Sequence, residues 1–382
     1  MTKADKEGQR KAPILRFKGF TDDWEQRKLG NLFNERKEKS TKGELLSVTL
    51  SNGVTKFSDL NKKDNSNIKS GNYKVVKKND IPYNSMRMWQ GASGVSSYDG
   101  IVSPAYTVLV PNRNSNSNFY AVLFKKKSIL NLFTRFSQGL TSDTWNLKYP
   151  ILKDIIVPFT NLEEQKRIFK IFNVINNLLA LYEKKKQLLT QLKQGIVNFL
   201  ITKNGQKPQL RFSGFNNNWE SKSFEKLLNY EQPTKYIVKK ADYISQGTPV
   251  LTANKSFVLG YTNETNVYQN IPAIIFDDFT LESKYVDFPF MVKSSAIKIL
   301  TSENSNLFFI YQLLNNQRFV QEGHSRHYIS VVQKKKVLVP SIQEQNKISD
   351  LIKQLEDNIE LNSNTIVLLK KLKEFLLQSM FL

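Results

Sequence analysis

The sequence predicts an α+β protein made of two similar mixed α/β modules, each followed by one long helix. Three observations carry that expectation: a long-period internal repeat, a heptad stripe closing each copy, and short β-rich runs set between turn-forming clusters. The repeat can be read directly. Pro13-Ile14-Leu15-Arg16-Phe17-Lys18-Gly19-Phe20, followed by Trp24-Glu25, returns as Pro208-Gln209-Leu210-Arg211-Phe212-Ser213-Gly214-Phe215, followed by Trp219-Glu220. Val157-Pro158, with Glu164-Gln165 and Ile168 beyond it, returns as Val339-Pro340 with Glu344-Gln345 and Ile348. The period far exceeds the ~20–50 residues of a solenoid unit, so the chain carries two copies of a whole domain plus connector.

Each helix follows from spacing. In the first copy the apolar positions Ile168, Ile171, Ile175, Leu178, Tyr182, Leu189, Leu192, Ile196 and Phe199 step by three and four, with Lys185 as the one polar interruption. In the second copy Ile348, Ile352, Leu355, Ile359, Ile366, Leu369, Leu372 and Leu376 do the same, with Asn362 at a seam position. A 3.5-residue repeat held over several heptads favours a supercoil. With one helix per half, the two are expected to pack on each other through Leu178, Leu189, Leu192 and Ile196 against Ile359, Leu369, Leu372 and Leu376. The buried Asn would cost stability and help to set register.

The modules are read from runs such as Tyr73-Lys74-Val75-Val76, Tyr106-Thr107-Val108-Leu109-Val110, Ala273-Ile274-Ile275-Phe276 and Ala296-Ile297-Lys298-Ile299-Leu300. These are strand-length, and Gly, Asn, Ser and Pro clusters separate them. Residues 305–318 read as a helix with Leu307, Ile310, Tyr311 and Leu314 on one face. The expected boundaries are a basic tail at 1–12, a first module at 13–158 and its helix at 159–203. A second module at 204–340 and a second helix at 341–382 follow. Phe17, Phe20 and Trp24, with their repeats Phe212, Phe215 and Trp219, are expected to pack where each module meets the helices.

Composition points to the partner. The 382 residues hold 56 Lys+Arg against 34 Asp+Glu, a net charge of +22. Such an excess calls for a polyanion, nucleic acid first. A membrane surface is the rival, but no apolar run approaches the ~18 residues of a spanning helix. Residues 1–11 lack the apolar core of a secretory signal. The absence of cysteine excludes disulfides, thiolate metal sites and cysteine nucleophiles, and fits a cytoplasmic protein.

On these residues the chain resembles the specificity (S) subunits of type I restriction–modification systems. The resemblance covers essentially everything after Pro13 and rests on the doubled openings and the doubled Glu-Gln helix entries. Gly94-Val95-Ser96 with Asp99-Gly100-Ile101-Val102-Ser103-Pro104-Ala105-Tyr106, and Ile274-Ile275-Phe276-Asp277-Asp278-Phe279-Thr280, add to it. It implies two target-recognition domains whose conserved helices pair as an antiparallel coiled coil. It also implies a non-catalytic subunit acting on double-stranded DNA. Two modification (methyltransferase) subunits would methylate adenine with S-adenosylmethionine, and restriction subunits would translocate and cut DNA with ATP and Mg. No cofactor is expected on this chain itself.

The residues agree with that division of labour. No Gly-rich phosphate loop ending in Gly-Lys-Ser/Thr is present. Asn79-Asp80-Ile81-Pro82-Tyr83 only partly matches an adenine-methyltransferase loop, lacking its double Pro. Asp278 with Glu282-Ser283-Lys284 matches a nuclease acidic-x-Lys string, a pattern short enough to arise by chance. His324 and His327 have no cysteine and no third ligand to complete a metal site. No catalytic or metal-binding residue is expected.

DNA readout needs Lys and Arg for phosphates, with Arg, Asn, Gln and Ser/Thr at base edges. In the first module, Arg87, Trp89, Gln90 and Ser93 form one candidate cluster, and Thr141 and Ser142, upstream of Trp145, form another. In the second module, Asn254 and Lys255 are joined by His324, Ser325, Arg326, His327 and Tyr328. The modules differ in these loops, so the expected target is split and asymmetric, with half-sites about one duplex turn, ~34 Å, apart. Two other readings use the same residues: a self-contained DNA modification or cleavage enzyme, and a coiled-coil nucleic-acid-binding scaffold.

Overall fold

The structure, a computed structural model, describes residues 11–50, 52–60, 63, 66, 68, 71–202, 207–240, 242–254, 256–319 and 326–382. The tail at 1–12 lies outside these apart from Lys11 and Ala12. The chain divides into two compact units, Met1–Tyr182 with Thr365–Leu382, and Glu183–Asn364.

The first unit begins with β1 (Glu25–Lys28), β2 (Phe33–Glu35), β3 (Lys39–Ser40), β4 (Leu46–Thr49) and β5 (Gly53–Lys56). It continues through β6 (Tyr73–Val76), β7 (Ile81–Asn84), β8 (Gly100–Val102) and β9 (Tyr106–Pro111). Helices α1 (Ser117–Leu123), α2 (Lys127–Phe136) and the single turn α3 (Tyr149–Leu152) precede β10 (Ile156–Phe159) and the long α4 (Leu162–Leu200). The strands pair as β2-β9-β7, β3-β6-β8, β4-β5 and an antiparallel β1-β10. Trp24, Phe33, Phe119, Tyr120, Phe124 and Phe133 form an aromatic core, closed by Ile168, Phe172 and Ile175 of α4.

The second unit contains β11 (Glu220–Ser223), α5 (Phe224–Leu227), β12 (Asn229–Glu231), β13 (Thr248–Leu251) and β14 (Val258–Thr262). Then come β15 (Ala273–Asp277), β16 (Ser283–Val286), β17 (Met291–Val292), β18 (Ile297–Thr301), α6 (Leu307–Asn315), β19 (Lys336–Val339) and α7 (Ile342–Ser379). The sheets are β12-β18-β15-β16, β14-β13-β17 and β11-β19. Strand β15 is buried on both faces, which explains why its sequence is a continuous apolar run. Ile274 and Phe276 join the cluster around α6, while Ala273 and Ile275 join Leu251, Tyr268 and Phe290 on the other side. Helix α6 buries Leu307, Ile310 and Leu314 as their spacing predicts.

The long helices pair antiparallel within each unit. In the first, Phe172 near the start of α4 stacks at 5.7 Å on Phe381, just past the end of α7. In the second, Lys193 near the end of α4 bonds Glu356 at 2.8 Å, and Val197 and Leu200 share a core with Ile348 and Ile352.

The seam differs from the expected one at alternate positions. Ile168, Phe172, Ile175 and Leu179 are buried, and Tyr182, Leu189, Lys193 and Ile196 are half-buried. Leu178 and Leu192, expected at the interface, are exposed, as is Leu372 on α7. Leu189, Ile196, Ile359 and Leu369 are half-buried, and Leu376 is buried, as expected. A 3.5 repeat allows two frames that share every other position. Two contacts choose between them: the Phe172 ring fills space against Phe381, and the Lys193 stem lies along the seam to reach Glu356. Asn362 is buried in the seam, with Nδ2 donating to the Asn358 carbonyl at 2.6 Å.

The doubled landmarks form a latch at the root of each module. Glu25 opposes Phe159 in the β1–β10 pair, and Glu220 opposes Val339 in the β11–β19 pair. Phe159 and Val339 are therefore equivalent, and the two Val-Pro dipeptides lie two positions out of step. The Glu-Gln entries carry the true alignment. Glu164 accepts two bonds from Arg16, at 2.6 and 2.9 Å, and Glu344 accepts two from Arg211, at 2.9 and 2.7 Å. Gln165 accepts from the Asn116 backbone N–H at 2.8 Å and Gln345 from that of Asn306 at 2.9 Å. Asn116 and Asn306 in turn cap the helices α1 and α6. Trp24 is buried, Phe17 and Phe212 pack on their cores, and Phe20 and Phe215 lie under the cations of Arg167 and Lys347. Thus each opening motif and each helix entry exist to hold one another.

Candidate nucleic-acid interface

In the first module the two candidate loops, distant in sequence, become one surface. The rings of Trp89 and Trp145 meet edge to face at 5.2 Å, and the Leu147 N–H donates to the Ser85 carbonyl at 2.8 Å. Trp89 also donates Nε1–H to the Met86 carbonyl at 3.1 Å. Both tryptophans are half-buried, so they serve as the joint between the loops. Arg87 is exposed and donates to the half-buried Gln90 side chain at 3.2 Å.

The turn that carries Arg87 is held from below. Met88–Gln90 form a 3-10 turn that ends at Gly91, whose φ of +87° is the left-handed region that glycine enters freely. Lys125 donates its ammonium to the carbonyls of Gly91 and Ser93, placing a cation at the carbonyl end of the turn. Burial, and then the neighbouring charge of Lys373, push the Lys125 ammonium down to about 8. Ser93 itself is fully buried, so its expected place at a DNA-facing surface is corrected: it belongs to the floor of the loop.

The second loop is closed by a two-bond backbone bridge between Gln138 and Asn146, at 3.0 and 2.8 Å. Inside it the Thr144 hydroxyl bonds both the N–H and the carbonyl of Thr141. Thr141 and Ser142 stand exposed at its end.

The second module gathers its candidates around the turn after β15. The Asp277 carboxylate caps the N–H groups of Phe279 and Thr280 at 2.9 Å each. The Thr280 hydroxyl lies 3.4 Å from the Asn254 side-chain oxygen, and Asn254 is exposed. Next to it Asp278 accepts the Tyr328 N–H at 2.7 Å, while its backbone carbonyl accepts the His327 N–H at 3.1 Å. Arg326, immediately before this anchor, is exposed. His327 and Tyr328 are buried. Their expected role as surface donors and stackers is therefore corrected, since they root the segment that leads into a π-helical turn (Tyr328–Val332). Lys255, His324 and Ser325 lie outside the described residues.

Asp278 is tied from the other side as well. Lys298, a buried lysine on β18, approaches the Asp278 carboxylate at 3.4 Å and donates to Gln232 at 3.0 Å. The acidic-x-Lys string thus has its first acid committed to a structural ion pair. Asp80 is engaged likewise, bonded by Arg36 at 2.7 and 3.1 Å and by the Lys77 N–H at 2.8 Å. Among the described residues no group of His, Cys, Asp and Glu is placed to hold a metal ion.

Three features escaped the reading of the residues. Lys125 and Lys298 looked like ordinary members of a basic chain, and only their burial shows that they brace the loops at Gly91 and Asp278. The β13–β14 hairpin exposes Tyr261 beside Ile244, near a shallow pocket lined by Lys239 and Lys240. The tip of this hairpin, with Asn254, was among the candidates, but the exposed Tyr261 on β14 was not.

Comparison with known proteins agrees with this plan. The family model described as the type I restriction modification DNA specificity domain matches residues 21–191 and again 216–371. The EcoR124I/EcoR124II specificity subunit of Escherichia coli is 50% identical over 123 residues, a match that spans 30% of this chain and 30% of that relative. The crystal structure of the S subunit from M. genitalium superposes with a TM-score of 0.66 at 17% identity, covering 97% of this chain and 99% of the other. A chain from work on complex assembly and conformational transition of the type I restriction–modification system gives 0.52 at 13% identity, covering 94% and 97%. With the specificity domain matched twice over most of its length, this chain belongs to the specificity-subunit family of type I restriction–modification systems.

Proposed function

We propose that each module reads one half of a split, asymmetric duplex-DNA target, and that the chain directs adenine methylation and restriction by partner subunits. One observation carries the reading: each module repeats the same latch and gathers two loops, and the outward residues of those loops differ between modules. The first presents Arg87, Gln90, Thr141 and Ser142, and the second presents Asn254 and Arg326. A shared scaffold with unlike reading residues suits two unlike half-sites.

The partners are two modification subunits carrying S-adenosylmethionine, and restriction subunits using ATP and Mg. Apolar side chains exposed on α4 support their docking: Val174, Leu178 and Leu181 in the first unit, and Leu188, Leu192 and Phe199 in the second, all at heptad spacing. On α7, Leu361, Leu368, Leu372 and Phe375 are exposed in the same way. Surfaces of this kind mark contacts with another protein. Among the described residues no helix is long and apolar enough to cross a membrane.

The test is to express the chain with its modification subunit and map N6-methyladenine across the host genome. A single split motif that appears only when both chains are present is the expected result. Methylation of the same sites without this chain would overturn the reading. The net charge of +22 predicts a steep fall of DNA affinity with salt, its slope set by the phosphates neutralised.

A further inference from the structure

Leu140 is the most solvent-exposed large apolar side chain of the described residues, at 101% of its reference area. An apolar residue so placed on a mobile tail would mean little, but the loop beneath it is built. Gly139 has a φ of +144°, and a Cβ there would meet the Thr144 carbonyl group at 2.7 Å, so glycine alone allows the reversal that turns Leu140 outward. The Thr141 carbonyl accepts from the N–H groups of Thr144 and Trp145 at 2.9 and 3.1 Å, which closes the tip into a single turn. The Gln138–Asn146 bridge closes its base, and Trp145 seats the whole on Trp89. A preformed loop loses little freedom on binding.

The loop's neighbours say what covers Leu140. Thr141 and Ser142 follow it as exposed hydroxyls, and Arg135, at the end of α2, and Arg87, across the Trp89–Trp145 joint, are exposed cations. Asp143 is the acid on the loop. Met86 and Phe136, next to those arginines, are exposed as well, and such an apolar surface among hydroxyls and arginines fits the groove of a duplex, where cations meet phosphates and hydrocarbon meets a base.

We propose that Leu140 is a specificity-determining residue of the first half-site, making an apolar contact with a base of the duplex. The inference rests on the reading of the chain as a DNA-specificity subunit. Two sources supply that chemistry: the 5-methyl group of a thymine in the major groove, or the edge of a base step opened by a wedging side chain.

The experiment maps N6-methyladenine in cells holding the modification subunit with the wild-type chain, with Leu140→Ala or with Leu140→Gln. Both variants are expected to keep the second half-site unchanged and to relax the first at one base or step by about tenfold. In the purified complex, replacing thymine by uracil in the first half-site reproduces the loss if the methyl is the contact. If the contact is a wedge, uracil has no effect, and the fluorescence of a 2-aminopurine at the step falls in Leu140→Ala. An unchanged motif in both variants would overturn the proposal. So would loss of co-purification with the modification subunit in the absence of DNA, which would assign Leu140 to a protein contact. Absence of any split motif with the wild-type chain would instead remove the specificity reading itself.

Discussion

Arg16 and Glu164, 148 residues apart in sequence, are joined by two parallel N–H···O bonds, with the carboxylate fully buried. The Glu164 carboxylate also accepts from Trp24 Nε1 at 3.1 Å and from the Thr160 hydroxyl. In the second copy Pro340 stands where Thr160 does, and the buried Trp219 Nε1 has no hydrogen-bond partner. The first latch is therefore the more completely bonded of two repeats of one device.

That asymmetry predicts unequal costs. Removing one partner of a buried, fully bonded pair leaves the other stranded, at about 3–5 kcal/mol. Arg16→Met should fall short of that loss because Trp24 Nε1 and the Thr160 hydroxyl still donate to Glu164, and Arg211→Met should come nearer to it because Arg211 supplies both side-chain bonds that hold Glu344. Urea denaturation followed by tryptophan fluorescence gives both values. Equal losses would show that Trp24 and Thr160 add nothing to the clamp.

The frame of the helix pair is open to test by substitution. Leu179 is buried and Leu178 is not, although a 3.5 repeat read from sequence selects Leu178. Leu179→Ala should destabilise by about 2–3 kcal/mol, while Leu178→Ala and Leu192→Ala should stay within about 0.5 kcal/mol in the isolated chain. Replacing buried Asn362 by Leu should raise the melting temperature, because its side-chain oxygen has no hydrogen-bond partner. A pattern in which Leu178 matters more than Leu179 would restore the other frame.

Much of this architecture was legible because duplication repeats a signal. The strands at Tyr73, Tyr106, Ala273 and Ile297 and both long helices lie where pattern placed them. What failed was anything decided by one residue's volume or burial. Phe172 settled the heptad frame through Phe381, a residue outside the repeat, and no spacing rule contains that contact. The candidate loops were found by residue type, but type cannot tell an exposed Arg326 from a His327 next to it whose backbone is anchored on Asp278. Leu140 was passed over because a search for DNA readers looks for polar groups.

Lys125 predicts a pH dependence. Its ordinary value of 10.5 falls to about 8 in the folded chain, so between those limits the unfolded state binds more protons and stability rises with pH. Below about 8 both states hold the proton, and the full cost of burying the charge remains. The gain attributable to Lys125 on going from about pH 7 to about pH 10 is on the order of 2 kcal/mol. Lys373, also lowered by burial, acts with the same sign, so Lys125→Met should flatten the rise without abolishing it. Melting temperatures of the two proteins across that range decide the matter. Parallel curves would mean that the carbonyls of Gly91 and Ser93 keep Lys125 charged throughout.

Asp278 should control the second half-site alone. Its carboxylate holds the Tyr328 N–H and faces Lys298, so it places Arg326 without reaching the surface itself. Asp278→Asn keeps an oxygen for the Tyr328 N–H but leaves Lys298 buried without a counter-charge. A loss of about 2–4 kcal/mol in stability follows from that stranded cation. The double variant Asp278→Asn with Lys298→Met removes the stranded charge and should recover most of the stability, since both partners become neutral. If Asp278 acts only through folding, the double variant regains the second half-site of the methylation motif together with stability. If it places the reading segment, stability returns while the second half-site stays degraded and the first remains intact. The latter outcome is expected, because the carboxylate–amide bond at the root of Arg326 is charge-assisted and an amide oxygen replaces it with a weaker one.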